Sequence, residues 1–148
     1  MFIEIILIII QTIAVITTLF SVILIYKTIK SNENLNQRIL FSNITKEERE
    51  IRVKLQEYQE KFNNPKTSKK EKEIILFNRE SILFNYYEYL AICLYKNLIN
   101  ESETKLYFKE ILKGIKRDFE NSILFKKKIA KKEEYQGLQW LFKKWLEA

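Results

Sequence analysis

The chain has 148 residues, with 26 basic against 19 acidic side chains and a formal charge of +7, which leaves room for one small domain. With no His, one Cys and only two Gly, it lacks the parts from which catalytic triads, zinc sites and phosphate-cradling loops are usually built. No catalytic, cofactor-binding or metal-ligating residue is therefore assigned, no enzymatic activity is expected, and no small-molecule substrate is indicated.

The apolar residues crowd into the amino-terminal segment. From Ile5 to Tyr26 there is no charged residue, and the run is interrupted only by Gln11, Thr12, Thr17, Thr18 and Ser21. A helix of that size is about 33 Å long at ~1.5 Å per residue, enough to cross a hydrocarbon core of about 30 Å. Ser and Thr are tolerated there because their hydroxyls can bond back to the helix that carries them. Tyr26 and Lys27 then supply an interfacial ring followed by a charge, as at the edge of a span. Met1 to Glu4 contains no Lys or Arg and no small-x-small cleavage site follows, so the segment reads as an uncleaved span and not as a signal peptide. Residues 1–30 are expected to form a transmembrane anchor in the lipid bilayer. Lys27, Lys30, Arg38 and Lys46 follow the span and no basic residue precedes it, which places the amino terminus outside and the body in the cytoplasm. Cys93, a lone thiol, suits a reducing compartment.

Behind the anchor the body carries 26 basic and 18 acidic residues, because Glu4 is the only earlier charge, and so stands at +8. With 21 Lys against 5 Arg, lysine is the default basic residue of this chain, and only its placement argues for an anionic partner. Ser31-Asn32-Glu33-Asn34 reads as a polar break. Thr45-x-x-Glu48 has the pattern of a capping box and predicts a helix over about 46–62. Ile51, Leu55, Tyr58 and Phe62 line one face of that helix, which has to dock on something to be stable. Residues 31–68 are thus expected to be a juxtamembrane segment.

Asn63-Asn64-Pro65 ends the helix, and Ser68-x-x-Glu71 opens a longer one over about 69–98. Ile75, Leu76, Ile82, Leu83, Tyr86, Tyr87, Leu90, Cys93 and Leu94 form its wide apolar face, which calls for two neighbours. Asn100, with Glu103 three residues on, caps a third helix to about 127. In it Gly114 is either a weak point worth about 1 kcal/mol or the mark of a close helix contact. A last helix over about 131–147 offers Tyr135, Leu138, Leu141, Phe142, Trp145 and Leu146. Apolar spacings of three and four throughout give an all-α fold: one N-terminal transmembrane helix followed by a small antiparallel helical bundle, with 69–148 as a helical hairpin or three-helix bundle. A hairpin turning near residues 99 and 100 brings together positions whose numbers sum to about 199. Arg79 is then expected near Asp118 or Glu120, and Glu88 near Lys113 or Lys116.

The run from Arg79 to Leu90, ending Asn85-Tyr86-Tyr87-Glu88-Tyr89-Leu90, with Asn97-Leu98-Ile99 and the closing Tyr135, Leu138, Leu141 and Trp145, resembles a bacterial family of unknown function. The resemblance implies an amino-terminal helix in the bacterial inner (cytoplasmic) membrane and a compact cytoplasmic helical domain whose central helix carries an aromatic-Glu step, here Tyr87-Glu88. It implies no activity and no catalytic residue.

The strongest charge cluster is Lys126, Lys127 and Lys128 with Lys131 and Lys132, followed by Lys143 and Lys144 among Tyr135, Trp140, Phe142 and Trp145. Lysines interleaved with rings can neutralise phosphates and stack on unpaired bases. Three of those rings fall at core spacing, however, which leaves Trp140 alone as an exposed ring, so nucleic acid is not expected as a partner. Near a bilayer each such Lys contributes on the order of 1 kcal/mol toward anionic lipid, and the cluster is the candidate anionic-surface patch. Carboxylate pairs such as Glu47 with Glu50 read as the solvated side of a helix, and Cys93 lacks a His to activate it. The chain therefore reads as a single-pass membrane-anchored interaction module, partnered by a protein or by itself. The alternative is a membrane-acting effector of a bacterial or phage conflict system, whose span would depend on Gln11, Thr12 and Thr18.

Overall fold

The computed structural model describes the backbone of residues 2–147 and the side chains of residues 11–147. Every regular element among the described residues is helical: α1 (Phe2–Asn63), α2 (Lys69–Tyr95), α3 (Glu101–Asn121), the short α4 (Ile123–Lys126), a 3-10 turn (Lys132–Glu134) and α5 (Gln136–Leu146). The chain divides into two compact units, Met1–Gln37 and Arg38–Ala148.

The expected break at Ser31–Asn34 does not occur, and α1 is a single helix of 62 residues. Asn, Ser and Glu lower helix propensity by only tenths of a kcal/mol each, whereas ending a helix takes Pro, Gly or a competing cap, and no Pro or Gly precedes Pro65. The capping box at Thr45 is absent for the same reason. Thr45 lies inside α1, and its hydroxyl donates back to the Ser42 carbonyl at 2.9 Å. Glu48 is buried and accepts from Arg52 one turn on. The box at Ser68 does form, with Ser68 Oγ accepting from Glu71 N and the Glu71 carboxylate accepting from Ser68 N at 2.8 Å. Asn100 Oδ1 likewise caps α3 by accepting from Glu103 N at 3.0 Å.

Within the second unit, α1 presents Phe41, Ile44, Glu48, Ile51, Leu55, Tyr58 and Phe62, a stripe at alternating spacings of three and four whose residues are buried or half-buried. It runs antiparallel to α2: Tyr86 Oη donates to the Ile44 carbonyl at 2.8 Å, while Lys72 lies over the Phe62 ring at 5.4 Å. The region 46–62 therefore packs on the rest of this unit, and Ile44 and Ile51 are part of its core. α2 and α3 are also antiparallel, as Arg79 with Asp118 and Tyr87 with Phe108 show. α2 is the central helix, with Phe84, Leu90 and Ala91 fully enclosed.

Both ends of α2–α3 depart from an uninterrupted helix. Asn97 closes α2 in the left-handed region at φ 54, with Leu98 N donating to Cys93 O and Asn97 N donating to Leu94 O, the Schellman arrangement for which Asn is suited. α3 stops at Asn121 and does not reach 127. Ser122 is extended and buried, and the Glu80 carboxylate of α2 accepts from both its hydroxyl and Leu124 N. The same Schellman pattern closes α4 with Lys128 at φ 55, where a Cβ-bearing residue costs roughly 1–2 kcal/mol. Gly114 marks no helix contact, since a Cβ there would meet nothing within 4 Å.

Burial pushes the phenols of Tyr86 and Tyr87 well above the ordinary tyrosine value, with Glu48 nearby adding to the shift. A folded-state value above the unfolded one means that the stabilisation is intact below about pH 10 and is lost as pH rises beyond it. Urea midpoints of the detergent-solubilised chain should hold steady from neutral pH to about pH 10 and then fall steeply. Tyr86→Phe should lower the neutral midpoint by the worth of one hydrogen bond, about 0.5–1.5 kcal/mol, and make the alkaline fall shallower. An unchanged alkaline slope in that variant would remove Tyr86 from the explanation.

Candidate functional site

The residues expected to carry interactions are distributed differently from the linear pattern. Arg79 Nη2 lies 3.4 Å from Asp118 Oδ2, while the Glu120 carboxylate lies 4.0 Å from Lys116. Lys113 pairs within its own helix, with Glu110 at 2.7 Å. The expected pairing of Glu88 with Lys113 or Lys116 is not formed. Glu88 turns instead to α5, where Oε1 accepts from Gly137 N at 2.9 Å and Oε2 accepts from Leu138 N at 2.7 Å. The reason is local: Tyr135, the residue before α5, provides no side-chain cap, so the first amides of α5 need an acceptor from elsewhere. A carboxylate satisfies them and also suits the positive end of the helix dipole.

This node needs Gly137. A Cβ there would fall 2.8 Å from Glu88 Oε1 and 3.2 Å from Ala91 Cβ, so glycine lets α5 close on α2. The aromatic-Glu step thus divides its labour, with Tyr87 in the core and Glu88 holding the next helix. Beside the node is a cleft of about 400 Å³ lined by Glu88, Ile92, Tyr95, Gly137 and Trp140. Tyr95 and Trp140 meet edge to face across it at 5.7 Å. The cleft was not legible in the sequence, because it exists only where α5 crosses the outer side of α2.

The seven lysines of the expected anionic-surface patch are spread out, with Lys132 and Lys143 lining one shallow cleft and Lys127 and Lys144 well apart. Lys127 pairs with Glu73 near the start of α2, while Lys144 pairs with Glu101, at the start of α3, at 2.6 Å. These contacts lie toward opposite ends of α2, whose 27 residues extend about 40 Å at ~1.5 Å each. Lys132 lies over the Phe119 and Phe125 rings, and Lys144 over Trp140 at 4.9 Å. Lys126, Lys128, Lys131 and Lys143 are exposed and make no ion pair among the described residues. Tyr135, Phe142 and Trp145 are buried and Trp140 is half-buried. Glu101 accepts from Lys144 and from Trp145 Nε1 at 2.9 Å, and these bonds hold its carboxyl below the usual range.

In the first unit the Ile5 side chain lies outside the described residues, while Gln11, Thr12, Thr18 and Tyr26 are exposed. Large apolar side chains there are more than half exposed, Ile13 at 56% and Phe20 at 65% among them. The hydroxyls are turned inward: Thr17 donates to Ile13 O and Ala14 O, Thr18 to Ala14 O at 2.8 Å, and Ser21 to Thr17 O at 2.9 Å. One helix among the described residues is long and apolar enough to cross a membrane.

Burial pushes the Cys93 thiol up, away from the thiolate that a nucleophile requires. Among the described residues no group of three or more His, Cys, Asp or Glu is placed to hold a metal ion. Comparison with known proteins returns no matching family model, no matching curated protein and no matching solved structure.

Proposed function

We propose that the chain is a single-pass membrane-anchored helical interaction module, with Ile5 to Tyr26 crossing the bacterial inner membrane, the amino terminus outside and residues 38–148 in the cytoplasm as a small antiparallel helical bundle. One observation carries this reading. The described part of the span exposes large apolar side chains while bonding its hydroxyls back to its own carbonyls, which is the surface a hydrocarbon solvent demands. At about 1.5–3 kcal/mol for each large apolar side chain removed from water, covering that surface reaches the roughly 5–15 kcal/mol that stabilises a whole domain. The Lys and Arg residues that follow the span support the orientation. In this reading the body's role is to bind a protein partner or a second copy.

Fractionation tests it. The full chain should stay with membranes through alkaline carbonate washing and be released only by detergent, and protease added to inverted vesicles should remove the body. Recovery in the aqueous fraction would refute the anchor, and protection of the body in inverted vesicles would refute the orientation.

A second reading has its own observation. Ala14, Val15, Thr18 and Leu19 frame a shallow groove on the exposed helix, and small residues of this kind let membrane helices approach closely. In an effector that assembles in the bilayer, Thr18→Leu would abolish toxicity on overproduction. In a passive anchor, exchange of the whole span for a neutral one would leave function intact.

A further inference from the structure

We infer that the end of the second unit where α2 passes into α3 is a lipid-docking face that inserts into the headgroup region of the anionic bilayer; this rests on the anchor reading above. The first observation is where exposed apolar side chains lie. In this unit Tyr89, Ile92, Tyr95 at 71%, Leu98, Leu106 at 89% and Tyr107 are exposed in the last turns of α2, the turn after it and the first turns of α3, whereas Val53, Ile74 and Ile129 are exposed one or two at a time elsewhere. A soluble surface scatters such residues singly, whereas a contiguous group marks a contact.

The second observation is where the chain enters the unit. The contacts of Tyr86 with Ile44 and of Lys72 with Phe62 place Arg38 level with about Ile92, so Tyr95 and Leu98 lie at the end where the chain comes in from the span. Lys27 to Arg38 is a link of 12 residues, which can reach no more than about 40 Å even when fully extended. The apolar end is therefore held within reach of the bilayer by the chain itself, at an effective concentration that needs little intrinsic affinity.

The third is chemistry. Tyr95 and Trp140, packed edge to face, are the two residue types that favour the membrane–water boundary. Lys96 follows Tyr95 directly and Lys105 lies in the first turns of α3, and neither makes an ion pair among the described residues. Their aliphatic stems can lie along the apolar group while the ammonium groups meet lipid phosphates. A second protein copy offers no such complement, since this body is itself strongly basic. The far end, with Lys126 and Lys128, has the charge but lacks the apolar residues apart from Ile74 and Ile129, and it lies about a helix length away from this face.

The test uses the full chain with Cys93→Ala, reconstituted in vesicles of phosphatidylcholine mixed with phosphatidylglycerol and spin-labelled at one introduced cysteine. Labels at Tyr95→Cys, Leu98→Cys and Leu106→Cys should collide more often with oxygen than with a water-soluble nickel complex. Labels at Ile74→Cys and Ile129→Cys should show the reverse, and a label at Ile16→Cys should be the deepest. Replacing Lys96 and Lys105 by Gln, or omitting phosphatidylglycerol, should shift the labels at 95 and 98 toward water. If those labels read as aqueous while Ile16→Cys reads as deep, the docking face is refuted and the anchor stands. If they are shielded from both reagents, protein covers the face and the lipid assignment fails. An aqueous reading at Ile16→Cys would sink the anchor itself. No shift on removing the lysines or the anionic lipid would refute the electrostatic half of the proposal.

Discussion

Phe119→Ala should lower the stability of the helical unit by about 3–5 kcal/mol, the cost of a large aromatic cavity that neighbours fill only in part. Phe119 is buried where four rings from other elements converge: Phe84 of α2 at 5.2 Å, Phe125 of α4 at 4.7 Å, Tyr135 at 5.9 Å and Phe142 of α5 at 5.5 Å. Each edge-to-face pair adds about 0.5–1.5 kcal/mol beyond its area, and Phe119 joins four elements at once. Since a domain holds roughly 5–15 kcal/mol in total, the loss should appear as a fall of tens of degrees in the thermal midpoint followed by circular dichroism in detergent. Leu106→Ala, at a side chain that is 89% exposed, should move the midpoint by no more than a degree or two. A Phe119→Ala shift as small as the Leu106→Ala shift would show that the ring cluster is not the core.

The second large effect is expected at the Glu88–Gly137 node. Glu88→Ala leaves two amides of α5 without their acceptor and should cost about 1–3 kcal/mol, and Glu88→Gln, which keeps an oxygen acceptor, should cost less. Gly137→Ala drives a methyl against the Glu88 carboxylate and Ala91, for which overpacking of about 1–3 kcal/mol is expected. The two should not add. With Glu88 shortened to Ala the methyl has room, so the double variant should be less destabilised than the sum of the singles by about 0.5–3 kcal/mol. Additive behaviour in the cycle, measured by urea unfolding of the solubilised chain, would mean that Glu88 and Gly137 act separately.

Much of this arrangement was legible in the sequence where the controlling interactions are local. Ser68 with Glu71 and Asn100 with Glu103 start their helices because each cap is complete within four residues. Leu83, Tyr86, Tyr87, Leu90, Cys93 and Leu94 are buried as their spacing requires, whereas Ile75, Leu76 and Ile82 of the same expected face are half-buried and Phe84, outside it, is fully enclosed. The same local logic failed at Thr45 with Glu48. That pattern matches a cap, but a helix already propagating through it gains one hydrogen bond per residue and has no reason to restart. Glu48 then stays in the docking stripe, with one carboxylate oxygen buried and accepting no hydrogen bond among the described residues.

What the sequence by itself determined is the helical class, the caps at Ser68 and Asn100, much of the core and an uncharged stretch of spanning length, all of which follow from periods of three and four and from neighbours a few residues apart. Only the tertiary structure decided that Glu88 holds α5, that Ser122 breaks α3 under the Glu80 carboxylate, that Lys128 takes a left-handed conformation and that Lys127 and Lys144 pair toward opposite ends of a helix about 40 Å long. In each case the deciding partner lies 40 or more residues away in the chain or in a turn closed by packing, and its attraction exists only after the hydrophobic faces have brought the helices together.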